Sequence, residues 1–383
     1  MSARRNLVVV FSLHFLLHVY IAVRLMPDIG TGRPGLLVLT ALLLLATLLL
    51  APVGLMSSSL RRRRWSEQLG WLGLLAMGLF SSFFVLTFLR DLVLLAAWLT
   101  GLSIGLGSAG LTHWSAIAVP LLALAVTFIG FVNARRVARV VKVDVPIAGL
   151  PEALHGYSIA QVSDIHVGPT IKRPYLEAIV NRVNALGADA IAVTGDLVDG
   201  SVQRLAAHTE PLGRLRAPDG VFFVTGNHEY YSGAEEWIAE VRRLGLTVLL
   251  NGHVLRWRGG ATLMIAGVTD YSAHHFNPAH RSDPTAAIAG APPEVAVKIL
   301  LAHQPRSAPA AAGAGFDLQL SGHTHGGQFF PWNLFVPLQQ PFVAGLHRTG
   351  RLWVYTSRGT GYWGPPKRFG APSEITLVRL VPG

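Results

Sequence analysis

Three stretches of this chain contain no Asp, Glu, Lys or Arg: Leu36 to Leu60, Leu69 to Leu89 and Leu92 to Val132. A helix of ~20 apolar residues crosses a bilayer, and hydrocarbon tolerates only backbone whose hydrogen bonds close internally. The first third of the chain is therefore expected to be an integral membrane bundle. Its spans read as Asn6 to Val23, Leu36 to Met56, a third starting near Leu69, and Ser115 to Val132. Leu92 to Gly110 reads either as a fifth span or as a helix end followed by a loop. With further spans following and no small-residue cleavage site before Pro27, the first span is not read as a signal peptide.

The net charge of +11 would suit nucleic acid, but its placement argues otherwise. Arg4-Arg5, Arg61 to Arg64, and Arg135, Arg136, Arg139 and Lys142 all flank apolar runs. Topology and anionic headgroups account for them, so membrane lipids rather than nucleic acid are the expected partners. Four spans place all three clusters on one side. Positive charge prefers the cytoplasm, so four spans with a cytoplasmic C-terminal domain are predicted. The chain has no cysteine, which excludes disulfides and thiolate metal sites. His14 and His18 share a helix face at i and i+4, and are read as polar groups bonded within the bundle.

Beyond about Val143 the pattern changes to short apolar runs alternating with amphipathic ones. Tyr157 to Val162, Ala190 to Val193, Val221 to Val224, Lys298 to Leu301 and Leu318 to Leu320 read as strands. Arg173 to Leu186 reads as a helix, with Leu176, Ile179, Val180, Val183 and Leu186 at helical spacing. The expected organisation is a transmembrane helical domain over 1–133, a basic juxtamembrane linker over 134–153 and an α/β domain over 154–383. Each strand ends in a polar cluster: Asp164-Ile165-His166, Thr194-Gly195-Asp196, Gly226-Asn227-His228-Glu229, His303, and Gly322-His323-Thr324-His325. Loops at strand ends converge on one rim, where ligands collect. Imidazole, carboxylate and amide donors without thiolate suit Mn, Fe, Zn or Ni, and there are enough of them for two ions.

The five clusters, in this order, resemble the calcineurin-like metallophosphoesterase family. The match is nearest to its membrane-tethered, multi-span bacterial group, through Gly322 to Gln328, Gln340 to Leu346 and Gly361 to Pro366. The resemblance implies a sandwich of two packed sheets flanked by helices. It implies two divalent ions, one on Asp164, His166, Asp196 and His325, the other on Asp196, Asn227, His303 and His323, with Asp196 bridging. It gives His228 the role of proton donor to the leaving oxygen or of stabiliser of the phosphoryl charge. Asp199 and Glu229 would orient ligand imidazoles, and Arg358, directly after a strand, is a candidate substrate contact through its fork of donors.

The expected activity is hydrolysis of a phosphate ester or pyrophosphate on a lipid or envelope precursor at a bacterial inner membrane. The alternatives are a phosphodiesterase or nuclease on soluble nucleotides, and a membrane sensor or transporter regulated by this domain. His274, His275 and His280 are read as loop histidines. Phe329 to Phe342 carries five aromatics and no charge, and reads either as a buried loop or as a membrane-facing lip. Tyr362-Trp363 and Lys367-Arg368 favour the lip, since aromatic and basic side chains suit a headgroup region.

Overall fold

The computed structural model describes residues 2–30, 32–56, 66–101 and 108–383. The chain forms two compact units, Met1–Val132 with Gly364–Lys367, and Asn133–Trp363 with Arg368–Gly383.

The first unit is built from α1 (Ser2–Gly30), α2 (Pro34–Met56), α3 (Ser66–Leu99) and α4 (Ser108–Arg135). Each contains a segment long and apolar enough to cross a membrane. Leu92 to Leu99 continues α3, while residues 102–107 of the ambiguous stretch lie outside the described residues; Arg90 and Asp91 are paired within the bundle. Arg90 donates to Asp28, to Arg24 O and to Thr112 O, and Arg24 pairs with Asp91 at 2.9 Å. His18 bonds to His14 O at 2.8 Å and to Thr47 Oγ1 at 3.0 Å, so the histidine pair is satisfied inside the bundle. Arg61 to Arg64, on which the expected topology leans, lie outside the described residues.

The second unit is an α/β sandwich of two six-stranded sheets. In chain order come β1 (Arg139–Ile147), β2 (Ser158–Val162), α5 (Arg173–Asn184), β3 (Ala190–Val193), α6 (Val202–Thr209), β4 (Val221–Phe223), α7 (Asn227–Ser232), α8 (Ala234–Arg243) and β5 (Thr247–Val248). There follow β6 (Gly252–Arg258), β7 (Ala261–Gly267), β8 (Val297–Leu301), β9 (Leu318–Ser321), β10 (Gly345–Thr349), β11 (Leu352–Thr356) and β12 (Glu374–Pro382). One sheet runs β1-β12-β2-β3-β4-β5, the other β10-β11-β9-β8-β7-β6. The stretch 134–153, expected to be a linker, contains β1, which pairs in parallel with β12 from Arg139↔Glu374 to Ile147↔Pro382.

Between the sheets lies an apolar layer that includes Ile159, Ala192, Phe222, Ile265, Ile299, Leu320 and Val378. Outside the first sheet, α5 buries Leu176, Ile179, Val180 and Val183, the side its spacing predicts. Burial of such side chains contributes about 1.5–3 kcal/mol each. The sheets matter to the site through direction. β2, β3 and β4 are mutually parallel, and so are β7, β8 and β9. Their C-terminal ends therefore deliver six loops, from two sheets, to one rim, and five of the loops carry the predicted ligands.

Candidate metal centre

All seven sequence-predicted ligands sit at those strand ends. Asp164 and His166 follow β2, Asp196 follows β3, Asn227 opens α7 after β4, His303 follows β8, and His323 and His325 follow β9. Seven described non-glycine residues have positive φ, and five of them are Asp164, His166, Asp196, His323 and His325. Left-handed backbone costs a non-glycine residue about 1–3 kcal/mol and persists only where the surroundings fix it. Here neighbouring loops do so. Asp164 N donates to Gly195 O, His166 N to Asp196 O, and His323 N to both Asp164 carboxylate oxygens at 3.0 Å. The flanking glycines are steric requirements. A Cβ on Gly322 would lie 2.0 Å from Ser163 Oγ and 2.2 Å from Asp164 Oδ2, and one on Gly195 would lie 2.8 Å from His303 Nδ1.

The donor atoms converge in three overlapping groups: Asp164, His166 and His325; His166, Asp196 and His228; and Asp196, His303 and His323. Asp196 Oδ2 lies 3.1 Å from His303 Nε2, 3.8 Å from His166 Nε2 and 3.9 Å from His228 Nε2. His166 Nε2 and His325 Nε2 face each other at 3.1 Å, and His323 Nδ1 and His303 Nε2 at 3.2 Å. Asn227 Oδ1 is buried with no hydrogen-bond partner among the described residues. A buried orphan acceptor beside converging imidazole nitrogens is what a cation-binding oxygen looks like, and the clusters fit a metal site.

The supporting groups hold these donors in place. Asp199 Oδ1 accepts from His166 Nδ1 at 3.0 Å and from His228 Nδ1 at 2.6 Å, so one oxygen orients both rings. Burial alone would raise the Asp199 carboxyl, but His166 and His228 outweigh it and hold it well below the usual range. Burial pulls His228 down, yet the charges of Asp196 and Asp199 raise it to about 9. Glu229 accepts from the backbone N–H groups of Asp196, Leu197 and Gly226, at 3.0, 2.8 and 2.6 Å. It therefore fixes the turn that carries Asp196 and orients no imidazole. Burial, then the Asp196 charge, pushes Glu229 up to about 8. Burial, then His303, lowers His323 to about 4, which leaves it neutral and able to ligate.

The neighbourhood also departs from expectation. Arg358 pairs with Glu374 at 2.8 Å and is 36% exposed. Lys367 and Arg368 are 3% and 1% exposed, so neither offers charge to headgroups. Arg368 donates to His325 O, Arg358 O, Gly361 O and His325 Nδ1, clamping the back of the His325 loop. His280 is bonded to Tyr230 at 2.9 Å instead of being free in its loop. Of the aromatic stretch, Phe329 is buried, whereas Phe330, Trp332, Leu334, Phe335 and Leu338 are exposed. The sequence reading missed Asp270, which is fully buried and accepts from Gln304 Nε2, beside His303. It follows β7 as the ligands follow their strands, so the strand-end rule could have found it. Tyr231 and Trp363, whose rings lie 5.2 and 5.7 Å from that of His228, carried no such signal.

Sandwich and rim together define a metal-binding phosphoesterase domain, and comparison with known proteins agrees. Residues 157–327 match the calcineurin-like phosphoesterase family model. A transmembrane protein with metallophosphoesterase domain from Danio rerio is 40% identical over 68% of this chain and 62% of its own length. Its Bos taurus counterpart is 39% identical over 77% of this chain and 69% of its own. An uncharacterized metallophosphoesterase from Helicobacter pylori is 40% identical over 58% of this chain and 60% of its own. The chain belongs to the calcineurin-like phosphoesterase family, and within it to membrane-associated members. It spans 62% of the length of the Danio rerio relative.

Proposed function

We propose that the chain is a membrane-anchored phosphoesterase that works with two divalent ions, and that its substrate is a phosphate ester or pyrophosphate on a lipid or envelope precursor. The observation that carries the binuclear reading is the position of Asp196. Its Oδ2 lies within 3.1 to 3.9 Å of imidazole nitrogens belonging to both ligand groups. Asp164, His166 and His325 would hold one ion, and Asn227, His303 and His323 the other, with Asp196 shared. When bound, such ions polarise phosphoryl oxygens and make water a nucleophile at neutral pH.

The chain's own residues supply the rest. Asp199 holds His228 by Nδ1, which leaves Nε2 directed toward Asp196. In the metal-free chain the charges of Asp196 and Asp199 raise that ring to about 9, and Nε2 is the atom from which a proton would pass to the departing oxygen. Glu229 keeps Asp196 in its left-handed conformation by binding its N–H. Tyr231 and Trp363 flank His228, so the leaving group emerges between aromatic rings.

The lipid part of the reading is supported by the exposed aromatic lip. It is tied to the ligand loops, since Thr324 Oγ1 donates to Val343 O at 2.6 Å and Gln340 Nε2 to Gln304 Oε1 at 3.1 Å. An exposed apolar patch fixed beside a polar site marks a recognition surface. The reading places the chain in a bacterial inner membrane, with the basic flanks of the apolar runs supporting a catalytic unit on the cytoplasmic side. The test is a metal-reconstituted activity screen against lipid phosphates, nucleotides and bis-p-nitrophenyl phosphate. Metal-dependent hydrolysis with a preference for amphiphilic esters is expected. Hydrolysis of soluble nucleotides alone would overturn the lipid assignment, and no hydrolysis with any metal would overturn the enzyme.

A further inference from the structure

Asp270 lies in the loop after β7, fully buried, and its carboxylate ends a buried chain of side chains. Its Oδ1 accepts from Ser272 N at 2.8 Å and from Ser272 Oγ at 2.5 Å. Gln304 Nε2 donates to both of its oxygens, at 3.2 and 3.0 Å. Gln304 directly follows the ligand His303 in the chain. Its Oε1 accepts from Gln340 Nε2 at 3.1 Å, and Gln340 Oε1 accepts from the backbone N–H of Arg306 at 3.2 Å. Gln304 and Gln340 are 5% and 4% exposed, whereas Leu338, two residues before Gln340, is the most exposed residue of the lip.

Every donor in this chain points the same way, from Arg306 through Gln340 and Gln304 to Asp270. The direction is fixed from both ends, because a backbone N–H only donates and a carboxylate accepts. A buried polar chain whose members are all bonded is rigid, and one turned amide sets donor against donor within it. The lip has mostly local support of its own. The N–H groups of Leu338, Gln339 and Gln340 bond to Phe335 O and Val336 O, inside the same stretch. Arg306 adds one exposed bond, from Nη2 to Gln339 O. The Gln340 side chain is thus the buried tie from the exposed turns of the lip to the loop that carries His303.

We propose that Asp270 is a positioning residue, which locks the aromatic lip to the His303 loop through a one-way relay over Gln304 and Gln340. With the lip fixed to a ligand loop, the hydrocarbon and the phosphoryl group of one amphiphilic ester are held at a set separation, and such positioning favours that ester over a soluble one. The role in ester selection rests on the proposed function. The relay itself needs neither metal nor substrate.

Asp270→Asn keeps the side-chain shape. Ser272 holds the amide oxygen in the Oδ1 place, so the new NH2 group faces Gln304 Nε2 across the 3.0 Å now spanned by a bond. Gln304 must turn, its Nε2 then meets Gln340 Nε2, and the relay breaks. Adding Gln304→Glu gives the new NH2 group an acceptor and still offers an oxygen to Gln340, which restores the direction. Hydrogen exchange, read by mass spectrometry on the EDTA-treated, detergent-solubilised full chain, follows residues 304–307 and 332–340. Asp270→Asn should speed exchange in both segments about 10-fold, and the double variant should return it to the wild-type rate. Gln340→Glu sets two acceptors face to face at the other end of the relay, and should speed exchange of 332–340 alike; it decides the matter if Asp270→Asn melts early. Wild-type exchange of the lip in both single variants, or a double variant no slower than Asp270→Asn, overturns the relay. In metal-loaded protein, Asp270→Asn should raise KM for a bilayer-embedded ester about 10-fold relative to KM for bis-p-nitrophenyl phosphate, with recovery in the double variant. An unchanged KM ratio overturns the role in ester selection. If exchange behaves as expected while the metal-loaded wild type hydrolyses no phosphoester, the relay stands and the proposed activity falls.

Discussion

Replacing Asp199 with Asn tests how one carboxylate serves two histidines. The substitution keeps the side-chain shape and removes its charge. Asp199 Oδ1 now accepts at 3.0 Å from His166 and at 2.6 Å from His228, and its side chain is 21% exposed. Hydrogen bonds to a charged group contribute about 1.5–3 kcal/mol each, roughly twice a neutral one. Halving two of them loses about 1.5–3 kcal/mol in total, or about 10- to 100-fold. The loss should divide between two readouts. Metal affinity should fall because the His166 ring is held less firmly, and turnover should fall because His228 is. A third readout is independent of geometry. Asp196 and then Asp199 hold His228 up, so the variant should lose its proton at lower pH. Metal titration and kcat against pH would measure all three. Wild-type metal affinity together with an unshifted pH profile would refute the idea that this oxygen orients both rings.

Other outcomes follow from the same geometry. Trp332 and Phe335 are 39% and 54% exposed, so about half of their full transfer value of ~1.5–3 kcal/mol each remains to be gained. Replacing both with Ser should raise KM for a bilayer-embedded ester about 10-fold and leave bis-p-nitrophenyl phosphate unaffected; equal loss on both, with a lower melting temperature, would make them core residues. In metal-free protein His228 has a folded pKa of about 9 against ~6.5 unfolded. Its contribution to stability is thus complete below about pH 6.5 and disappears as pH rises through 9, and a melting curve of His228→Ala parallel to wild type across that window would contradict this. A reporter fused after Gly383 should work only if it is active in the cytoplasm; an active alkaline phosphatase fusion there would reverse the orientation.

The rim was legible because its residues come in short local motifs behind apolar strands. Gly195, Gly226 and Gly322 mark places where no Cβ fits, and Asp164, His166, Asp196, His323 and His325 occupy the strained turns beside them. What stayed hidden depends on partners far away in the chain. Arg368 follows two exposed-looking aromatics and a lysine, so it reads as a headgroup contact. Its actual partners, His325 and Arg358, are set by folding. Asp270 reads as a turn residue until Gln304 is brought against it. β1 carried a readable alternation, with Val143, Val145 and Ile147 on one side and Lys142, Asp144 and Pro146 on the other. The flanking arginines hid it by suggesting a solvated linker. The aromatic stretch divided because Phe329 is pinned by bridges to Phe369 and Gly370, while Trp332 to Leu338 is held mainly by its own turns.

The central claim is that Asp196 serves both metal positions, and metal content measures it directly. Wild-type protein loaded with Mn, Fe, Zn or Ni and freed of excess should retain two ions per chain by elemental analysis. Asp196→Ala should retain neither at the same free-metal concentration while its melting temperature in EDTA stays near that of the wild type. A folded Asp196→Ala protein that still holds two ions, or that loses only one, would contradict the account.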